Sequence, residues 1–282
     1  MVALCCACTA GLTTVAHSTP SSPFYPKSAG MWRWTWQVTV GHLIVLLELS
    51  TALLHMWRMY AELPTVSLGL KKFSIIGHSM GADIAGMFSA LYPEMVDALV
   101  LLDTYGFFPT DSKEVSKVMR QGMDEMIQFE KKSEEKKRVY TYEKAVERLL
   151  TANPTLSEQS VRILLERGLV QVEGAGFVFS RDLRVNFKNM LRLSLEQSLE
   201  MQSRIQASVL VVLAEDGFDR IFSEPGRFTS AILQSFQDRN HKVVIVPGDH
   251  HVHLNKPEVV APFVSNFLRT KALSVSTKQH KL

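Results

Sequence analysis

One serine in this sequence lies between two glycines in a pattern that suits a nucleophile. Residues 77–81 read Gly-His-Ser-Met-Gly, directly after the short apolar run Phe73–Ile76 and before the helical pattern Met80–Leu91. A strand that turns sharply into a helix strains the residue at the turn and exposes its side chain, here the hydroxyl group of Ser79. The turn also lies at a helix N-terminus, where the dipole favours developing negative charge. The pattern predicts that Ser79 is a nucleophile, with the backbone N–H of Met80 as one oxyanion donor. The alternative is a serine that only fills a tight turn.

Three histidines, His250, His251 and His253, are clustered after the last apolar run of the chain. A serine hydroxyl is a weak nucleophile and needs a general base, which is usually an oriented histidine. The cluster is expected to supply that base. Metal binding is the alternative, but no cysteine accompanies these residues and their spacing is poor for one face of a helix. We therefore expect no metal site, and no phosphate-binding loop or other motif indicates a cofactor.

An acid that orients such a histidine would fix the tautomer of the imidazole and stabilise the imidazolium. Aspartates follow several of the apolar runs, where they are also common as structural residues, so the residues alone do not choose the acid.

The elements that would position these residues alternate between strands and helices. Continuous apolar runs at 73–76, 98–103, 208–216 and 242–248 are typical of strands that are buried on both faces. Helical patterns separate them, which indicates an α/β fold with a parallel sheet. The exception is the insert 105–206. Its mixed-charge helical patterns, a capping box at 155–158 and a hairpin turning at 174–176 predict a helical cap over the sheet.

The two ends of the chain differ from this regular part. Residues 1–70 contain a linker rich in proline, serine and glycine, and an apolar segment at 38–57 that is interpreted as a buried or surface-docked helix. Membrane contact through residues 38–57 is the alternative, which the polar side chains of His42, Glu48 and His55 disfavour. Residues 271–282 are expected to form a flexible tail. Its last three residues, His-Lys-Leu, resemble the peroxisomal address Ser-Lys-Leu.

The composition of the 282 residues is that of an ordinary globular protein, with 46% hydrophobic and 21% charged residues. A formal net charge of +3 gives no reason to expect a nucleic acid as partner. The three cysteines are Cys5, Cys6 and Cys8, so the large domain that follows has none, which suits a reducing compartment. We therefore expect a cytoplasmic protein with a peroxisomal fraction.

Several of these segments resemble the α/β-hydrolase superfamily: FSIIGHSMGA (73–82), YPEMVDALVLLD (92–103), VPGDHHVHLNKPEVV (246–260) and the capped insert. More narrowly, residues 70–268 are similar to the serine hydrolase-like proteins of that superfamily. The resemblance implies an α/β-hydrolase fold with its core at 71–104 and 207–270 and a helical cap at 105–206. It also implies hydrolysis of an ester, thioester or related small acyl substrate without a cofactor.

The resemblance assigns the general base to one of the three histidines. Family members place the catalytic histidine seven residues before a proline, and counting back from Pro257 gives His250. His251 then fills a position that is usually aromatic or apolar, and His253 is expected to support the loop. The implied base is therefore His250.

The acid is expected after the penultimate strand, which is its usual position in the superfamily. That position falls near Gly217, so a small adjustment of the loop brings in Asp216, ranked first, or Asp219, ranked second. Asp103, after the preceding strand, is ranked third because only some relatives place the acid there. The implied triad is thus Ser79, His250 and Asp216.

One part of the family pattern is absent from the sequence before residue 71. Relatives mark the loop of the second oxyanion donor with a His-Gly pair, and residues 1–70 contain no such pair. No run of early strands is recognised there, so the strand Phe73–Ile76 is expected to expose an apolar edge unless residues 38–47 cover it. The alternative to an active enzyme is a catalytically impaired hydrolase-like protein that binds small molecules or partners through its cap.

Overall fold

A computed structural model describes residues 37–39, 42–46, 72–132, 138–180, 187–188, 191–221 and 228–279 of the chain. The strands in these residues are β1 (Gln37–Thr39), β2 (His42–Leu46), β3 (Phe73–His78), β4 (Val96–Leu102), β5 (Leu169–Val172), β6 (Gly176–Phe179), β7 (Ser208–Asp216) and β8 (Lys242–Asp249). The helices are α1 (Met80–Leu91), α2 (Val115–Lys132), α3 (Tyr142–Ala152), α4 (Glu158–Gly168), α5 (Leu195–Ser203), α6 (Phe218–Ile221), α7 (Thr229–Asp238), α8 (Val252–Asn255) and α9 (Pro257–Gln279).

A six-stranded sheet forms the centre of the structure, with the strand order β1-β2-β3-β4-β7-β8. Strands β1 and β2 are antiparallel, and every other neighbouring pair in this sheet is parallel. Strands β4 and β7 are nearly continuous runs of aliphatic residues, as expected for strands that are covered on both faces. The prediction of an α/β fold with a mainly parallel sheet is confirmed.

Alternate side chains of the central strands enter two separate apolar layers. Leu99 and Leu101 of β4 face a cluster that includes side chains of α1 and α7. Their neighbours Val100 and Leu102 face the opposite cluster, which includes side chains of α9. Because side chains alternate along a strand, a run without polar residues is what a sheet with helices on both faces requires.

The strand order brings four strand ends to one edge of the sheet. Strands β3, β4, β7 and β8 are parallel neighbours, so their carboxyl ends lie side by side, as at ligand sites of other open α/β sheets. Ser79 follows β3, Asp103 follows β4, Asp216 ends β7 and His250 follows β8. The sheet therefore gathers the residues of the predicted triad at what we call the catalytic edge.

The segment between β4 and β7 carries α2 to α5 and the hairpin β5–β6. The hairpin turns at the predicted glycines, where Gly174 and Gly176 have φ angles of 70° and 121°. Helix α4 is capped by Ser157, whose hydroxyl oxygen accepts a hydrogen bond from the N–H of Ser160. The predicted capping box at 155–158 is therefore wrong, since the helix begins two residues later than that pattern requires.

The apolar segment 38–57 was predicted to be a helix, and its described residues form strands instead. Strand β2 pairs in parallel with β3, placing Val45 opposite Ile75. A short apolar run such as His42–Leu46 suits a strand as well as a helix, and periodicity alone does not separate the two. Strand β3 therefore has a neighbour on each side, because β2 lies within residues 38–47, the segment named above as the possible cover of its edge. Residues 47–57 lie outside the described residues.

The remaining expectations about the chain ends are only partly covered by the structure. Within the described ranges, no helix combines the length and the apolar character needed to cross a bilayer. Helix α9 continues to Gln279, so the prediction of a flexible tail from residue 271 is wrong for most of that segment. The linker before residue 37 and the final His-Lys-Leu lie outside the described residues.

Replacing Leu101 with alanine is expected to lower the free energy of unfolding by about 2–5 kcal/mol, because this side chain is fully buried and its loss leaves a cavity. Leu91→Ala is the matched control, since it removes the same atoms from a side chain that is 54% exposed. The control is expected to change stability by less than about 1 kcal/mol. Urea unfolding followed by circular dichroism measures both, and equal losses would contradict the packing of Leu101.

Candidate active site

Ser79 lies at a sharp turn between β3 and α1. Its backbone has φ 51° and ψ −128°, a strained conformation for a residue other than glycine. Gly77 makes this turn possible, because a Cβ atom there would come 2.5 Å from the carbonyl oxygen of Gly81. Met80 begins α1, so its N–H belongs to the first helical turn, whose donors have no partner within the helix. The turn thus presents a hydroxyl group beside helical N–H donors.

His250 connects the hydroxyl group of Ser79 to a carboxylate. Its Nε2 atom lies 3.0 Å from Ser79 Oγ, and its Nδ1 atom lies 2.5 Å from Oδ2 of Asp103. All three side chains are buried, with exposed fractions of 3%, 3% and 2% for Ser79, His250 and Asp103. A proton on Nδ1 that is donated to Asp103 leaves Nε2 to accept the proton of the hydroxyl group. This arrangement suits general-base activation of a serine.

The carboxylate of Asp103 is held by backbone groups as well as by His250. Oδ1 accepts a hydrogen bond of 2.8 Å from the N–H of Ala214, and Oδ2 accepts one of 2.8 Å from the N–H of Phe218. A buried carboxylate is costly unless hydrogen-bond donors surround it, and these donors meet that requirement. The backbone of Asp103 has φ 48°, an uncommon conformation that turns the chain away from the end of β4.

Asp216, the first-ranked acid, does not lie beside His250. Its side chain is more than half exposed and forms an ion pair with Arg220. At the next residue, Gly217, a Cβ atom would collide with both carboxylate oxygens of Asp103. The carboxylate of Asp103, which follows the neighbouring strand, therefore lies beside the position at which the resemblance places the acid. The second-ranked candidate, Asp219, has a side chain outside the described residues.

The signal that could have favoured Asp103 was in the sequence. Asp103 follows β4 as directly as Ser79 follows β3, and these two strands are neighbours. The usual acid position holds Gly217, which offers no side chain. Neither observation was decisive without the order of the strands, because only that order shows that β4 lies between β3 and β7.

His78 joins the turn of Ser79 to the loop of His250. Its ring is fully buried, and its Nε2 atom lies 2.6 Å from the backbone carbonyl oxygen of His250. The His78 ring also packs against the rings of His250 and His253, with centroids 4.6 Å and 4.1 Å apart. This residue was not singled out in the sequence, where it appears only as the variable position of the Gly-His-Ser-Met-Gly pattern.

The two histidines after His250 are kept neutral by their surroundings. Burial lowers the pKa of His253 to about 3, and burial together with the nearby His250 lowers the pKa of His251 to about 4. His251 Nδ1 lies 3.0 Å from Oγ1 of Thr155, whereas neither ring nitrogen of His253 has a hydrogen-bond partner within the described part of the chain. His253 packs against the ring of His78, and its role in supporting the loop stays a prediction.

Aromatic rings lie on one side of His250. The ring of Phe218 is centred 6.4 Å from that of His250, and it packs edge-on against Phe108 at 5.5 Å and Tyr105 at 6.1 Å. Phe228 extends the cluster from Phe108 at 6.1 Å. These rings come from the start of the cap segment and from the region after β7, so they give the catalytic edge an apolar flank.

His253 is expected to make the protein less stable as the pH falls. The unfolded chain takes up a proton on this histidine near pH 6.5, whereas the folded protein does so only near pH 3. The free energy of unfolding should therefore decrease, by up to about 1.4 kcal/mol per pH unit, as the pH falls through this interval. His253→Leu removes this contribution. It places an apolar side chain at a buried site where the histidine ring has no hydrogen-bond partner among the described residues.

Urea unfolding of the wild type and of His253→Leu between about pH 7 and pH 4.5 measures how steeply the free energy of unfolding of each protein depends on pH. Asp83 has the opposite effect, because burial raises its pKa to about 8 and the folded protein holds that proton when the unfolded chain has released it. Since both proteins contain Asp83, its contribution cancels in the difference. Parallel pH profiles would contradict the burial of His253.

Comparison with known proteins gives the family of the chain. A family model described as alpha/beta hydrolase fold matches residues 58–136. A serine hydrolase-like protein from Danio rerio is 50% identical over 207 residues, which cover 73% of this chain and 63% of that protein. Serine hydrolase-like protein 2 from Homo sapiens is 35% identical over 221 residues, which cover 74% of this chain and 69% of that protein.

The solved structures agree with this result. Hypothetical protein PA1622 from Pseudomonas aeruginosa PAO1 is 25% identical and matches with a TM-score of 0.62, over 80% of this chain and 79% of that one. The chain spans 63% and 69% of the lengths of the two curated relatives named above. With the sheet order and the turn of Ser79, these matches show that the chain belongs to the serine hydrolase-like proteins of the α/β-hydrolase superfamily.

Proposed function

We propose that the protein is a serine hydrolase that cleaves an ester, a thioester or a related acyl compound. Ser79 is the nucleophile, His250 the general base and Asp103 the acid. The observation that carries the proposal is the buried series of contacts from Ser79 Oγ to His250 Nε2 at 3.0 Å and from His250 Nδ1 to Asp103 Oδ2 at 2.5 Å. Membership of a hydrolase family supports the same reaction class.

In the first half of the proposed reaction, Ser79 Oγ attacks the carbonyl carbon of the substrate while His250 Nε2 takes the hydroxyl proton. The carbonyl oxygen becomes an oxyanion, which the N–H of Met80 and the N-terminus of α1 stabilise. Collapse of this intermediate breaks the bond to the alcohol or thiol, which leaves with the proton from His250. The acyl group is then bound to Ser79.

In the second half, water attacks the acyl carbon as His250 takes one of its protons, and the carboxylic acid leaves as the proton returns to Ser79. Asp103 keeps a proton on Nδ1 and stabilises the imidazolium that forms in both halves. The aromatic rings of Phe218, which flanks His250, and of Phe108, which packs against Phe218, favour a substrate with an apolar group because they carry no charge.

A second candidate function is supported by one observation from the sequence. Residues 1–70 contain no His-Gly pair of the kind that marks the second oxyanion donor in relatives. Loss of one oxyanion donor typically costs about 10²–10³ in rate. A folded but catalytically impaired protein that binds a small molecule through its cap is therefore the alternative.

Ser79→Ala and His250→Gln are expected to reduce hydrolysis of p-nitrophenyl acetate to the background rate, because they remove the nucleophile and the base. Labelling by a fluorophosphonate probe should be lost in Ser79→Ala for the same reason. Circular dichroism should remain unchanged in both variants. If folded wild-type protein neither turns over the ester nor reacts with the probe, the proposed enzyme is rejected in favour of the alternative.

Asp103→Asn and Asp216→Asn separate the two acid assignments. Asparagine at 103 is expected to lower kcat by about 10⁴, because its amide favours the wrong tautomer of the histidine. Asparagine at 216 removes only an exposed ion pair with Arg220 and should leave kcat within about twofold. Steady-state kinetics on the same ester measures both. A larger loss at 216 than at 103 would reject Asp103 as the acid.

A further inference from the structure

The side-chain amide of Asn255 joins two parts of the chain that are far apart in sequence. We call residues 249–255 the histidine loop and residues 155–160 the cap anchor. Asn255 Oδ1 accepts hydrogen bonds from the N–H of Ser157 at 3.0 Å and from Oγ of Ser160 at 2.9 Å. Its Nδ2 donates to the carbonyl oxygen of Thr155 at 2.8 Å and to the carboxylate of Asp249 at 3.1 Å. These contacts use both donors and both acceptor positions of the amide.

Two further contacts connect the same segments. His251 Nδ1 lies 3.0 Å from Oγ1 of Thr155, which places the cap anchor directly beside the residue after His250. Leu254 is buried in the apolar cluster of the cap together with Leu156. The histidine loop therefore packs into the cap on one side, although it begins at the end of a sheet strand.

The sheet itself supports the histidine loop from one direction. Strand β8 is at the end of the described strand order and pairs only with β7 there. On the core side, the loop is held by His78, whose Nε2 lies 2.6 Å from the carbonyl oxygen of His250. The cap anchor holds the loop through Asn255 and His251, so the loop that carries His250 has a second attachment besides the one at His78.

We propose that Asn255 is a positioning residue for His250, which keeps the imidazole between Ser79 and Asp103 by fixing the histidine loop to the cap anchor. This inference rests on the proposed function for its effect on catalysis. The proposed base needs contacts of 3.0 Å and 2.5 Å at its two nitrogens at once. A shift of about 1 Å in such a group is able to cost about 10²-fold in rate, even when its cause is remote from the chemistry.

Asn255→Ala in the full chain tests the proposal. Hydrolysis of p-nitrophenyl acetate should show kcat lowered on the order of 10²-fold, with KM within about threefold, because this small ester needs little from the cap. Asn255→Asp is a second variant of nearly the same size, which keeps the acceptor oxygen and loses both donors. It should lower kcat in the same way, because it loses the contact to Thr155 and places a second carboxylate beside Asp249. Circular dichroism of both variants checks that they remain folded.

Asn153→Ala is the matched control. Asn153 is a buried asparagine of the cap, whereas Asn255 is half-buried in the histidine loop, and the side-chain amide of Asn153 donates to the carbonyl oxygen of Leu149 at 3.1 Å, within the cap itself. This variant should lose stability while it retains kcat. An equal loss of kcat in the Asn153 and Asn255 variants would overturn the proposal, because the effect would then come from general loosening of the cap. An unchanged kcat in Asn255→Ala would also overturn it.

An NMR measurement decides the proposal independently of turnover. The proton of a short hydrogen bond between His250 Nδ1 and Asp103 should give a strongly downfield resonance in wild type, in Ser79→Ala and in Asn153→Ala, and it should be lost or shifted in Asn255→Ala. If wild-type protein shows no turnover but shows this resonance, and the resonance is lost or shifted in Asn255→Ala, the proposed function fails and the positioning role stands. If the resonance is the same in Asn255→Ala as in wild type, the positioning role is rejected.

Discussion

A carboxylate that is removed from water must find its hydrogen-bond donors within the protein, and Asp103 imposes this requirement at the centre of the catalytic edge. The N–H groups of Ala214 and Phe218 come from β7 and the turn after it, and the ring of His250 comes from the loop after β8. These donors reach one carboxylate only if β4, β7 and β8 are aligned at their carboxyl ends. The hydrogen bonds that satisfy the buried group therefore also fix the relative positions of the strand ends.

The cap and the core contact each other at several places in the described residues, and two of these contacts bear on the site. Strands β4 and β7 are neighbours, so the chain leaves the sheet and returns to it at adjacent points, and the N–H of Thr110 donates to the carbonyl oxygen of Leu193 across these two connections at 2.8 Å. The second place is the histidine loop, where Leu254 is buried in the apolar cluster of the cap. The proposed base is thus located at the boundary between the two parts.

Residues that are specified by local pattern were predictable from the sequence. The strands β3, β4, β7 and β8 are continuous apolar runs, and the glycines around Ser79 indicate the turn that the structure contains. The partner of His250 was not predictable in this way, because it depends on which strand lies beside β7, a property of the folded sheet. The prediction of a helix at 38–57 was wrong for a different reason. A five-residue run such as His42–Leu46 is compatible with a helix and a strand, and its pairing with β3 decides between them.

Gly217 lies where any side chain would meet the carboxylate of Asp103. The backbone there is aimed at the place where the superfamily usually has its acid, yet the carboxylate that fills this place comes from β4. Two side chains cannot occupy the same volume, so a carboxylate on one strand requires a glycine on the other. Any side chain introduced at Gly217 would therefore displace the carboxylate of Asp103 from the ring of His250. The missing side chain at 217 is thus as much a part of the contact between His250 and Asp103 as the carboxylate itself.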